Sequence, residues 1–136
     1  MTSMQVLYHG STTPDLKTLE PRKRYTPSND INYESIYATP IEGYAATHSF
    51  PWSTDEGVDL DVIDGKVVMQ IPQSMEKRLL TPISIYKISA KNFEHLADEV
   101  TGQTWQTIKP CSVISEEKFA SVLEAFDKYH VQLIIK

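Results

Sequence analysis

The chain of 136 residues has few of the residues on which several common kinds of site depend. Its single cysteine, Cys111, excludes an intramolecular disulfide and favours a reducing compartment. With five glycines and neither a Walker-type loop nor a GxGxxG sequence, it is not expected to cradle phosphate in a glycine-rich loop. No apolar run approaches the ~18–20 residues that cross a bilayer, and no cationic stretch followed by an apolar one opens the sequence. We therefore expect a cytoplasmic protein with no membrane partner.

Metal ligands and basic residues are also sparse. The four histidines show no HExxH or other metal-ligand spacing, so no metal cofactor is predicted. The net charge is −5 and the pI about 5.3, and Arg22-Lys23-Arg24 is the only basic cluster. Nucleic acid is therefore not a favoured partner. The cluster is interpreted either as part of a solvated loop or as a clamp for a phosphorylated small molecule.

The residues that are present predict one α+β domain over residues 1–136. Alternating or apolar runs indicate strands at 5–9, 35–39, 58–62, 66–71, 83–88, 104–108 and 131–135. Asp64-Gly65 predicts a hairpin turn between the third and fourth of these. Residues 21–34 are polar and carry two prolines, which predicts a long loop.

Two short helices are predicted. One begins at Pro40 with Thr39 as its N-cap, and the other has Ser115 as its N-cap with Glu116 and Glu117 in the first turn. The strands outnumber the helices and do not alternate with them regularly. We therefore predict predominantly antiparallel, split β-sheets with a few short helices, in preference to a doubly wound parallel sheet.

Two fragments carry candidate chemistry. The first is Leu7-Tyr8-His9-Gly10-Ser11, where a strand-end histidine and a glycine can present an imidazole and backbone groups to one ligand. Backbone N–H and C=O at such a glycine can pair with a carboxamide. The alternative is a histidine bonded to a neighbouring loop beside an ordinary turn glycine.

The second fragment is Ile36-Tyr37-Ala38-Thr39-Pro40, followed by a segment with two alanines and His48. A tyrosine beside small residues leaves a flat ring face that suits stacking on a planar heterocycle. The alternative is a core tyrosine with a tethered hydroxyl.

In combination, the two fragments resemble the ADP-ribosyltransferase family of the poly(ADP-ribose) polymerase and diphtheria-toxin type. The resemblance covers residues 6–48, about a third of the chain. It implies an ADP-ribosyltransferase-like fold and NAD as substrate or ligand. His9 would hydrogen-bond a ribose hydroxyl of NAD, and Gly10 and Ser11 would hold the nicotinamide carboxamide. Tyr37 would stack on the nicotinamide ring, and His48 stands where the family has a second stacking tyrosine.

Two further assignments follow from the same resemblance. Arg24 lies where the family's adenosine-side loop would meet the pyrophosphate. The family's glutamate on a later strand has no counterpart in residues 103–107, which carry no carboxylate. Thr104 is the closest match, with Gln106 on the same strand face, and Glu99 would reach in only if the intervening turn folds back. Loss of such a group typically costs ~10²–10³-fold in rate.

Three functions therefore remain open. The first is a mono-ADP-ribosyltransferase that consumes NAD and modifies an unknown acceptor. The second is a non-catalytic module that binds NAD or ADP-ribose. The third is a phage- or toxin-related interaction protein whose ligand is another macromolecule. An RNA 2′-phosphotransferase would share the fold but would need more than one basic cluster.

Overall fold

The computed structural model describes residues 5–24, 33–96 and 103–136, and for residues 22–24, 33, 34 and 54 it describes the backbone alone. Within these ranges the predicted α+β class is confirmed, with mostly antiparallel strands in three sheets. The strands are β1 (Val6–Ser11), β2 (Thr18–Leu19), β3 (Arg22–Arg24), β4 (Tyr33–Ala38), β5 (Asp59–Ile63), β6 (Lys66–Ile71), β7 (Ile83–Ser89), β8 (Glu94–His95), β9 (Trp105–Thr107), β10 (Cys111–Phe119) and β11 (Gln132–Ile135). The α-helices are α1 (Glu42–Thr47) and α2 (Val122–Lys128), and 3-10 helices span Thr54–Glu56 and Gln73–Leu80.

The strand orders are β1-β7-β10-β2, β11-β6-β5 and β3-β4-β9-β8. Among the pairings in the described residues, that of β11 with β6 is parallel and the others are antiparallel. The predicted hairpin is confirmed, since Asp64 and Gly65 both adopt positive φ (51° and 78°), as a two-residue type I′ turn requires.

Strand β7, the partner of β1, is buried on both faces. Along β7, Ile83 and Ile85 pack into a cluster with α1 and α2, whereas Tyr86 and Ile88 pack with Leu7 into a second cluster. Apolar side chains on both faces of a strand explain why its sequence reads as a nearly continuous apolar run. This double burial fixes the position of β1, on which the candidate site depends.

The predicted loop at 21–34 is wrong at both ends. Residues 22–24 form β3, which pairs antiparallel with the start of β4, and β4 begins at residue 33. A short basic strand at a sheet edge is common because lysine and arginine protect an edge from further pairing. The rest of the predicted loop lies outside the described residues.

The predicted helix start at Ser115 is also wrong. Ser115, Glu116 and Glu117 lie on β10, which pairs with β7 along most of its length. The helix begins later, where the Ser121 hydroxyl accepts a hydrogen bond from the Glu124 N–H at 3.2 Å. Cross-strand pairing therefore overrides the local helix signal. The Ser-x-x-Glu spacing at 121–124 is the capping signal that marks the true start.

The first helix likewise starts after the predicted residues. Its N-cap is Ile41 and not Thr39, because the Thr39 backbone is bonded to Tyr8 of β1 in both directions, at 2.7 and 3.0 Å. The Thr39 hydroxyl still accepts from the Ile41 N–H at 3.2 Å. The bridge joins β1 to β4 and brings the two fragments of interest together.

Candidate functional site

A cavity of about 810 Å³ opens where β1 ends. Its walls come from the ends of β1 and β2, from β4, and from the segment that follows α1. Ligand sites in proteins typically enclose about 300–1,000 Å³, so this volume suits a nucleotide-sized ligand. Five of the residues predicted from the sequence line it together: His9, Gly10, Ser11, Tyr37 and His48.

His9 links the two fragments directly. Its Nδ1 lies 2.7 Å from the carbonyl oxygen of Tyr37. A carbonyl only accepts, so Nδ1 carries the proton, and Nε2 is the acceptor nitrogen when the ring is neutral. A neutral imidazole has one donor and one acceptor nitrogen. That donor is committed to Tyr37, so the neutral ring has no second N–H to offer a ligand.

Gly10 combines a tight packing contact, which requires glycine, with a backbone that faces away from β7. A Cβ at this position would lie 2.3 Å from the carbonyl oxygen of Ala45 and 2.8 Å from the Cβ of Ser49, so the close packing of α1 on β1 requires it. In addition, Tyr8 directs its backbone N–H and C=O toward Thr39, and strand alternation directs those of Gly10 to the same side. That side is away from β7, toward the cavity end of β4.

Ser11 has a local partner. Its hydroxyl accepts a hydrogen bond from the Thr13 N–H at 3.0 Å, which shapes the turn after β1. The hydroxyl oxygen can still donate its own proton to a ligand.

Tyr37 is half-buried and stands opposite Gln106 in the β4–β9 ladder. Residues directly opposite in an antiparallel pair share a face, so Gln106 is a neighbour of Tyr37. Thr104 precedes β9, and its carbonyl accepts from the Leu96 N–H at 2.9 Å. Neither Thr104 nor Gln106 lines the cavity. The alternative third residue, Glu99, lies outside the described residues.

His48 is the middle member of an aromatic row. It lies edge-on to Tyr44 (ring centroids 4.6 Å apart) and is stacked on Trp52 (5.6 Å, interplanar angle 28°). The Trp52 indole N–H donates to the carbonyl of Thr47 at 2.5 Å and thereby fixes the ring. Trp52 also lines the cavity. Sequence reasoning missed it because it lies in a short polar segment without periodicity.

The described side chains that line the cavity carry a net negative charge. Glu20 is the one charged side chain among the described residues that line it. For Arg24 the backbone alone is described, and the neighbouring Arg22 stands opposite the lining residue Ser35 in the β3–β4 ladder. No pattern in the sequence distinguishes Glu20 from other exposed carboxylates.

The turn between β1 and β2, which forms one rim of the cavity, is held from β7 and β10. The buried Tyr86 hydroxyl donates to the Thr13 carbonyl at 2.5 Å and accepts from the Leu16 N–H at 3.2 Å. Glu116 accepts from the Ser84 hydroxyl at 2.6 Å and from the Asp15 N–H at 3.0 Å. Burial opposes the charge of Glu116, but these hydrogen bonds together with the nearby charge of Lys118 hold its pKa below the usual value.

We expect Tyr86→Phe to lower the free energy of unfolding by about 1–3 kcal/mol, because Thr13 and Leu16 each lose a partner. Urea unfolding measures this loss, and faster tryptic cleavage after Lys17 reports the loosened turn. Tyr129→Phe is the matched control, since its hydroxyl bonds Glu117, a carboxylate that is also paired with Lys128 at the end of α2. Equal cleavage rates at Lys17 in the two variants would contradict the proposed anchoring.

In the described ranges, no three His, Cys, Asp or Glu side chains come together as metal ligands. No helix among the same residues is long and apolar enough to cross a membrane. Comparison of the chain with protein-family models, with curated proteins and with solved structures finds no match.

Proposed function

We propose that this protein binds NAD in the cavity at the end of β1, in the manner of an ADP-ribosyltransferase-like protein. The observation that carries the proposal is the 2.7 Å contact between His9 Nδ1 and the carbonyl of Tyr37 within one cavity. His9 and Tyr37, one from each fragment that resembles the family, are 28 positions apart, and independent structural roles would not require them to share a ligand-sized space.

The proposal gives each predicted residue a role in holding NAD. Nε2 of His9 accepts a hydrogen bond from a ribose hydroxyl of NAD. The backbone of Gly10 pairs with the nicotinamide carboxamide, and Ser11 donates its hydroxyl proton to the same group. The ring of Tyr37 stacks on the nicotinamide. Arg24 is kept as the partner of the pyrophosphate, a charge-assisted contact that arginine geometry favours.

A second candidate is the transfer of ADP-ribose to an acceptor of unknown identity. The register that sets Gln106 opposite Tyr37 favours it, since the amide is then a neighbour of the ring that would stack on the nicotinamide. In such a transfer the bond between ribose C1′ and the nicotinamide nitrogen breaks, and neutral nicotinamide leaves. Gln106 and Thr104 bring no negative charge to the cationic transition state. We therefore expect turnover ~10²–10³-fold slower than with a carboxylate.

We expect saturating NAD to stabilise the protein. A ligand at 100 times its dissociation constant adds ~2.7 kcal/mol, which raises the melting temperature of a chain this size by roughly 10 °C. Thermal unfolding with NAD, ADP-ribose and nicotinamide measures the effect. If none of the three changes the melting temperature, the proposed site is wrong.

Nicotinamide release, followed in the same samples, separates binding from catalysis. Stabilisation without release identifies a binding module, whereas release that Gln106→Glu accelerates identifies a slow transferase. A macromolecular ligand, the third function, is favoured if no small molecule stabilises the protein.

A further inference from the structure

Trp52 is held rigidly at the cavity wall. Its indole is fixed by the hydrogen bond to the Thr47 carbonyl and by stacking on His48, which in turn rests edge-on against the buried Tyr44. Trp52 also packs against the larger core cluster. A ring held in this way loses little entropy when a ligand contacts it, so it is a preorganised surface.

The stacking role predicted for His48 is shared with this neighbour. Trp52 already packs against the His48 ring, and Tyr44 contacts its edge. The indole is larger than the imidazole and is the strongest cation-binding aromatic ring. Trp52 thus adds to the cavity a property that His48 alone does not provide.

Glu20 lines the same cavity and is its one charged group among the described side chains. An exposed carboxylate favours a nearby positive charge modestly, because solvent screens the interaction. The electron-rich indole and the carboxylate therefore both favour a ligand that carries a positive charge.

We propose that Trp52 and Glu20 make the cavity selective for a planar ring that carries a positive charge, the pyridinium of oxidised nicotinamide. The inference rests on the proposed function and deepens it. The dihydropyridine ring of reduced nicotinamide is neutral and gains neither interaction. The cavity thereby distinguishes the two redox states of the same dinucleotide, and it holds the form whose nicotinamide can leave as a neutral molecule.

Nicotinamide riboside and benzamide riboside test this directly. They share the carboxamide and the ribose, but the first ring is cationic and the second is neutral. Neither has a phosphate, so the basic cluster at 22–24 does not contribute to the comparison. Calorimetric titration should give about 2- to 30-fold tighter binding of nicotinamide riboside, the range expected for a cation on an aromatic face.

Three variants test which residues produce the preference for nicotinamide riboside over benzamide riboside. Trp52→Leu should remove most of it, Trp52→Phe should retain part of it, and Glu20→Gln should lower it without affecting folding. Trp105→Phe is the matched control, since Trp105 is half-buried but does not line the cavity. It should keep the full preference, and it leaves Trp52 as the sole indole. In this variant, quenching of the Trp52 fluorescence by nicotinamide riboside reports direct contact between the indole and the ligand.

The possible failures are distinguishable. If both ribosides bind equally well, or if Trp52→Phe and Glu20→Gln keep the full preference, the selectivity inference is wrong and the proposed function stands. If neither riboside nor NAD binds the unmodified protein, both are wrong.

Discussion

Gly10→Ala is expected to lower the free energy of unfolding by about 3 kcal/mol or more. The added Cβ would lie 2.3 Å from the Ala45 carbonyl oxygen and 2.8 Å from the Ser49 Cβ, and the first of these is a backbone atom that cannot rotate away. Helix α1 would have to move off β1, which is the costly form of overpacking. Urea unfolding followed by far-UV circular dichroism measures the loss.

Gly43→Ala is the matched control, because it adds the same methyl group within α1. Its Cβ would meet the Val131 Cγ2 at 2.9 Å, the end of a side chain that can rotate. Alanine also favours helix over glycine by ~1 kcal/mol, which offsets part of that contact. We expect a net change within about 1 kcal/mol. Equal losses in the two variants would show that the packing of α1 on β1 is not the reason for Gly10.

His9→Ala is expected to weaken NAD binding by about 5- to 150-fold. The change removes the Nε2 acceptor and leaves a ribose hydroxyl unpaired after desolvation, at a cost of ~1–3 kcal/mol. It also removes the donor to the Tyr37 carbonyl, so a loss of stability of ~1 kcal/mol should accompany it. Calorimetry and urea unfolding measure the two effects separately.

His9→Asn separates the role of each ring nitrogen. The asparagine amide can replace Nδ1 as the donor to Tyr37, but it has no group at the position of Nε2. Stability should therefore be largely retained while NAD affinity falls as in His9→Ala. The role assigned to Nε2 is refuted if the asparagine variant binds NAD as tightly as the unmodified protein.

Local signals predicted much of the fold because the relevant interactions lie close together in the chain. Asp64-Gly65 predicted the β5–β6 hairpin, since two adjacent residues with positive φ define that turn. The predicted helix boundaries were wrong where residues distant in the sequence decide them. Ser115 reads as a cap, yet β7 pairs with this segment and turns it into strand β10.

The predictions of site residues also succeeded in part and failed in part. His9, Gly10, Ser11, Tyr37 and His48 were predicted from two fragments, and all five line one cavity. Arg24 stays a prediction because the backbone alone is described there. Thr104 and Gln106 were placed by strand order, but order along the chain does not determine which residues face a cavity. Gln106 lies beside Tyr37 in the sheet and outside the cavity lining.

Alternation, turn chemistry and residue type act locally, so they sufficed to predict the α+β class, the hairpin and the two fragments of the candidate site. Three features emerge only in the folded chain: the His9 ring donates to Tyr37, Ala45 requires glycine at position 10, and Trp52 and Glu20 join the cavity wall. These are contacts between segments far apart in the chain. They depend on how β1, β4 and α1 pack, and no local pattern encodes that packing.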